Sequence, residues 1–215
     1  MLFSPLIYAQ EEIPKDSIVD HKYRDDQIYL NASYQRLLNL PDNFSITGFS
    51  YNVAMGFIRD VPVNKARNIG FGVGLGYSIN AHYFNIKENT DVPEDDPEVK
   101  ELKSNKIALY MIEVPVQFRV RNSTPLKYKF FRFYPGLLFS YAFAQNHNLR
   151  QNEDFDVNEV IDINKFQYGI NMSVGYNKWN FYIYYGLTDL FNETESNPYK
   201  IEAREIKLGI AIYFL

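Results

Sequence analysis

Between Gly70 and Phe84 the chain reads GFGVGLGYSINAHYF, and two stripes of residues interleave without a break. Gly70, Gly72, Gly74, Gly76, Ser78, Asn80 and His82 hold one parity, while Phe71, Val73, Leu75, Tyr77, Ile79, Ala81 and Tyr83 hold the other. A period of two sends successive side chains to opposite faces, so the segment predicts a β-strand. A soluble sheet usually carries charge on its second face. Here that face is small and neutral, which suits a narrow, crowded interior. The run is also long enough to cross a bilayer at a tilt, which takes about 9 to 11 residues.

Seven more segments alternate in the same way: Gln27 to Gln35, Gly48 to Ile58, Lys106 to Arg121, Phe130 to Gln145, Phe166 to Tyr176, Trp179 to Leu187 and Glu205 to Leu215. In Lys106 to Arg121 the apolar stripe runs from Tyr110 to Val120, and Glu113, Gln117, Arg119 and Arg121 share the opposite parity. Phe130 to Gln145 sets Arg132, Tyr134, Gly136, Ser140, Ala142 and Ala144 against an aromatic stripe, and the last segment sets Glu205 and Lys207 against Ile206, Leu208 and Ile210. The pair Asn177 and Lys178 fits a tight hairpin, because Asn tolerates a positive φ. Pro115 and Pro135 fall inside strands, and a closed barrel has no edge on which a missing N–H is harmless, so each is expected to mark a bulge or the limit of the regular ladder.

The connections test the count independently. Asp60 to Arg67, Asn122 to Lys127, and Asn177 with Lys178 are short; Asn85 to Asn105, Asn146 to Lys165 and Phe191 to Arg204 are long, with Leu37 to Ile46 intermediate. Bacterial outer-membrane barrels alternate short periplasmic turns with long outer loops. The expected fold is therefore all-β: a closed eight-stranded antiparallel transmembrane barrel, an up-and-down meander, with a periplasmic N-terminus. Phe57, Phe71, Phe131, Phe133, Tyr176, Trp179 and Phe214 fall near the periplasmic strand ends, where an aromatic girdle belongs. A soluble lipocalin-like barrel also has eight strands but would show the opposite polarity, apolar inside and wet outside.

Composition narrows the class. Aromatic residues make up 17% of the chain, yet the mean hydropathy is −0.32, as expected when every second strand residue can be polar. No apolar run is long enough for a membrane helix. The absence of cysteine excludes disulfides and a thiolate site, and a net charge of −4 gives no reason to expect nucleic-acid binding. Residues 1–10, MLFSPLIYAQ, read as a signal-peptide remnant with a small-residue cleavage site near Ala9, leaving 11–26 as a periplasmic segment and 27–215 as the barrel.

The sequences YMIEVPVQFRVR and FYPGLLFSYAF, the hydrophobic-Glu-hydrophobic-Pro run Ile112, Glu113, Val114, Pro115, the pair Pro135 and Gly136, and the terminal alternating strand resemble the PorT-like, porin-family outer-membrane β-barrel domain. The resemblance covers about Gln27 to Leu215, and the chain departs from it in ending on Leu215 rather than an aromatic residue. It implies architecture more than biochemistry, because members differ in function. PorT itself is associated with secretion and gliding machinery.

An eight-stranded barrel has an interior just wide enough to be filled by side chains. Glu113, Gln117, Arg119, Arg121, Arg132, Glu205 and Lys207 are thus expected to pair across a polar lumen, with Gly70, Gly72, Gly74 and Gly76 as its small-residue stripe, rather than to line a conduction path or ligand site. Catalytic chemistry finds no support: Ser78 and His82 are separated by roughly 13 Å of strand, too far for a nucleophile and its base. The acidic run Asp91, Glu94, Asp95, Asp96 and Glu98 lacks EF-hand spacing, so neither a metal nor a cofactor is expected. The expectation is a non-enzymatic outer-membrane barrel, structural or an accessory subunit of an envelope complex, touching membrane lipid and, through its long loops, other envelope proteins. A small-solute pore is the alternative, and an outer-membrane lipid hydrolase the third reading.

Overall fold

The computed structural model describes residues 26–40, 44–46, 48–87, 101–122, 131–148, 162–192 and 202–214. Its strands are β1 (Gln27–Leu38), β2 (Phe44–Ile46), β3 (Tyr51–Pro62), β4 (Ile69–Lys87), β5 (Glu101–Arg121), β6 (Phe131–Asn148), β7 (Phe166–Tyr176), β8 (Trp179–Gly186) and β9 (Arg204–Phe214). Every long strand pairs antiparallel with its neighbour in sequence, and β1 pairs with β9 from Ile28↔Phe214 to Leu38↔Arg204, so eight strands close a ring. β2 is the ninth segment. It continues the edge of β4 past the end of β3, pairing Phe44 to Ile46 with Ile86 to Phe84, in a stretch expected to be a plain connection. Gly48, at φ 80°, breaks the run between β2 and β3, which is why β3 begins at Tyr51 rather than at Gly48.

Burial follows the alternation. Along β1 the residues alternate between buried and exposed from Gln27 to Leu37, and the large exposed side chains, Phe71, Val73 and Leu75 among them, lie on the outward parity. A β-barrel whose outer wall is apolar and whose inner wall holds the charges has the polarity of a membrane barrel.

Two expectations about irregularity are corrected. The prolines do not carry the bulges: the β5–β6 register runs through Pro115↔Leu138, and the β6–β7 register through Pro135↔Met172. Each proline omits a ladder hydrogen bond without moving the register. The register shifts lie instead toward the long-connection end, between Tyr110 and Met111 on β5 and between Phe84 and Ile86 on β4. The first of these inserts one extra residue in β6, so Ala144, expected inside, pairs with Tyr110 and is exposed. Asn177 does adopt a positive φ of 58° in the β7–β8 turn.

Candidate functional site

The lumen is where chemistry could reside, and it is built in layers. At the short-turn end, β3, β5 and β1 bring Asp60, Arg119, Arg121 and Gln27 together. Arg121 grips Asp60 with two hydrogen bonds, Nη1 to Oδ1 at 2.8 Å and Nη2 to Oδ2 at 2.7 Å, and its Nε donates to the Arg67 carbonyl at 2.9 Å. Arg119 donates to Asp60 Oδ1 at 3.3 Å and to Gln27 Oε1 at 3.0 Å. All four side chains are buried, and Arg132 lies buried beside them as the cross-strand partner of Arg121. The fork of a guanidinium matches a carboxylate bidentately, which makes this pairing both strong and directional. Sequence reasoning placed Asp60 at the start of a connection. Its parity with Asn52, Ala54 and Ile58 was the available signal, since β3 carries that inward stripe on to Asp60.

Above this cluster lies a layer of tyrosines. Tyr29, Tyr134, Tyr182, Tyr184 and Tyr213 are buried together with Ala54, Ile58 and Leu138. The Tyr134 and Tyr213 rings meet edge to face at 5.8 Å, and the Arg119 guanidinium lies 4.8 Å from the Tyr134 ring centre. The side chains of this layer, Tyr29 and Ile58, crowd the glycine stripe. A Cβ on Gly76 would overlap the Tyr29 hydroxyl, one on Gly74 would sit 2.7 Å from Ile58 Cγ1, and one on Gly72 would sit 2.9 Å from Ile58 Cγ2. Small residues on β4 therefore make room for large ones from β1 and β3, and Gly70 and Gly72 are buried with them.

The next layer is a second polar cluster. His82 Nε2 is 2.8 Å from Glu205 Oε1, and Lys207 Nζ is 3.2 Å from Glu205 Oε2. Lys207 also donates to Asn80 Oδ1 at 2.7 Å, which accepts a further bond from Asn52 at 2.9 Å, and it lies 4.8 Å from the Tyr184 ring centre. Glu113 is buried facing Lys207 and the Ser78 hydroxyl, and Gln117 is buried below it on β5. His82, set aside as too far from Ser78, finds its partner on β9 through closure of the barrel.

At the long-connection end the interior turns apolar. Leu37, Phe84, Ile107, Leu109, Met111 and Ala142 pack with Ile163, Leu190, Phe191 and Ala203 from the bases of the connections. An Ile163↔Phe191 bridge and hydrogen bonds from Leu190 N to Ala203 O at 2.8 Å and from Asn164 N to Leu190 O at 2.9 Å hold those bases in place. This apolar layer adds to the polar lumen expected from the sequence a stretch in which the interior is hydrophobic.

The remaining expected residues occupy the outer wall: Phe57, Phe71, Phe131, Phe133, Tyr176 and Trp179 are exposed there, and Phe214 is half-buried under the Lys178 ammonium at 5.6 Å. The acidic run from Asp91 to Glu98, the segment 1–10 and nearly all of 11–26 lie outside the described residues.

Between the polar layers a cavity of ≈ 20 Å³ remains, bordered by Tyr29, Asn52, Glu113, Asn171, Tyr182 and Lys207 among others. That is room for about one water. No curated protein matches this chain. Residues 8–192 match the model of the outer membrane protein beta-barrel domain family, a span that includes all of the strands except β9. With that match over most of its length, a closed antiparallel barrel and an apolar outer wall, the chain belongs to the outer membrane protein beta-barrel domain family.

Proposed function

We propose that the protein is a non-enzymatic outer-membrane barrel that serves as a structural element or as an accessory subunit of a cell-envelope complex, with its N-terminus in the periplasm. The observation that carries this reading is the packed lumen: among the described residues, charged layer, tyrosine layer, second charged layer and apolar layer stack along the interior and border a cavity of ≈ 20 Å³. A path for ions or sugars needs a continuous file of water, and side chains occupy that volume here. The lumen carboxylates Asp60 and Glu205 pair with guanidinium, ammonium and imidazole groups, which favours a structural role over a hydrolase. If the lumen does no work, the surfaces left are the long connections and the lipid-facing wall, and binding concentrates on such connections. The likeness to PorT-like members makes secretion or assembly machinery the first place to look for a partner.

Two measurements test the reading. Protein reconstituted in planar bilayers should give no steady conductance, and a stable open level would favour the pore. Purification in mild detergent should bring down a defined envelope protein, and replacing residues 88–100 by a short turn should leave the barrel folded while weakening that association if the loop is the interface.

A further inference from the structure

The outward stripe of β1 reads Ile28, Leu30, Ala32, Tyr34 and Arg36. Ala32 is its smallest member, and it lies across from Val53 on β3 and Ile210 on β9. This low point forms the floor of a groove of ≈ 540 Å³ on the outer wall, walled by Leu30, Met55, Tyr77, Ile79, Ile212 and Trp179. A groove lined so completely by hydrocarbon and facing a bilayer is complementary to an acyl chain. Trp179 is the chain's single tryptophan, which makes the groove directly observable.

The same stripe supplies a headgroup contact. Arg36 lies four residues beyond Ala32, about 13 Å along the strand at ~3.3 Å per residue, close to half the thickness of an about 30 Å hydrocarbon core. It is exposed on the outer wall and enters no ion pair among the described residues. Arg204 stands diagonally across the β1–β9 seam, opposite Leu38, held by Asp189 at 3.4 Å and by the Tyr185 hydroxyl. At the rim above the groove Arg204 is thus already paired, and Arg36 is the guanidinium open to a ligand.

We propose that this face is a site for one anionic phospholipid, whose phosphate sits on Arg36 and whose acyl chain lies in the groove over Ala32. The site rests on the membrane reading given above and adds a preference among lipids. An arginine placed at the edge of the hydrocarbon meets phosphate in any bilayer; what distinguishes this one is an apolar groove farther along the same stripe, past Tyr34, with room for the acyl chain of the lipid that the charge holds.

The delipidated protein in a neutral detergent, titrated with phosphatidylglycerol or phosphatidylcholine and observed by native mass spectrometry, should show one saturable phosphatidylglycerol adduct and a weaker phosphatidylcholine one. Arg36→Ala should lower the phosphatidylglycerol affinity about fivefold, and Ala32→Phe should remove the adduct by filling the floor. Both positions are on the outer wall, and unboiled samples should keep their folded electrophoretic mobility. Phosphatidylglycerol brominated near the chain end should quench Trp179 in the parent and less so in Ala32→Phe. Equal binding of the two lipids, or a preference lost in Lys178→Ala and kept in Arg36→Ala, would overturn the proposal. A protein that binds neither lipid yet inserts into bilayers also refutes the site and leaves the membrane reading standing, whereas failure to insert would remove that reading itself.

Discussion

The two buried charge clusters sit on either side of the tyrosine layer and are built on opposite principles. At the turn end, one carboxylate, Asp60, serves Arg119 and Arg121, with Arg132 alongside. On the far side, two carboxylates, Glu113 and Glu205, share Lys207 and His82, with Asn80 and Asn52 extending the network. Among the described residues the first cluster is thus richer in cations, while the second sets two carboxylates against one ammonium and one imidazole. A guanidinium is always charged and cannot shed its proton, so Arg119 and Arg121 both lean on the Asp60 carboxylate. In the second cluster Lys207 has Asn80 as a further partner, and Asn52 extends that hydrogen bond. The same lumen therefore holds one arrangement centred on a shared carboxylate and one that spreads its charge over several groups.

That contrast can be broken most sharply at Asp60. Asp60→Ala leaves two buried guanidinium groups without their shared carboxylate and should cost about 3–5 kcal/mol, the range for removing one partner of a buried pair. Urea unfolding followed by the loss of folded electrophoretic mobility would measure it. Glu205→Ala should cost less, about 2–3 kcal/mol, because Lys207 keeps Asn80 and faces Glu113. If Glu205→Ala proves as costly as Asp60→Ala under the same assay, the distributed network is not distributed. The separating layer can be probed through Gly76→Ala, whose methyl would overlap the Tyr29 hydroxyl; an overpacking cost of about 1–3 kcal/mol is expected, read as a lowered melting temperature. The smallest effect tests geometry rather than charge. Arg121→Lys keeps the cation and loses the two-pronged grip on Asp60, which should cost about 1 kcal/mol and be visible as a shifted urea midpoint with an unchanged slope.

The strand count, the closed antiparallel order and the inward parity of Glu113, Arg119, Glu205 and Lys207 were legible because a period of two has one physical meaning in a sheet with a greasy side. Asp60 was misread because a charged residue followed by Val61, Pro62 and Val63 resembles the start of a turn, although its parity continued that of Ile58. Which cation meets which carboxylate was not legible at all. Parity says that His82 and Glu205 face the same interior, but their 2.8 Å contact joins β4 to β9 across the lumen and depends on how far neighbouring strands are staggered. The apolar layer was hidden for a related reason: Phe84, Ile107 and Leu109 had the inward parity, but the partners Ile163, Phe191 and Ala203 come from connections whose paths alternation does not specify. The prolines misled in the other direction, since an omitted hydrogen bond proved compatible with an unbroken register.

The seam between β1 and β9 has a bearing on how the chain folds. Seven of the eight joints in the ring unite long strands that follow one another in sequence, whereas this one brings Ile28 against Phe214. Contacts this distant in sequence return nothing until most of the intervening chain is ordered, so they weigh heavily on the folding rate. Until the seam forms, β1 and β9 each present a row of unpaired backbone groups that any other strand could capture. The assembling barrel is consequently most exposed to mispairing at its final step, and conditions that slow closure should raise aggregation more than they lower the stability of the finished ring.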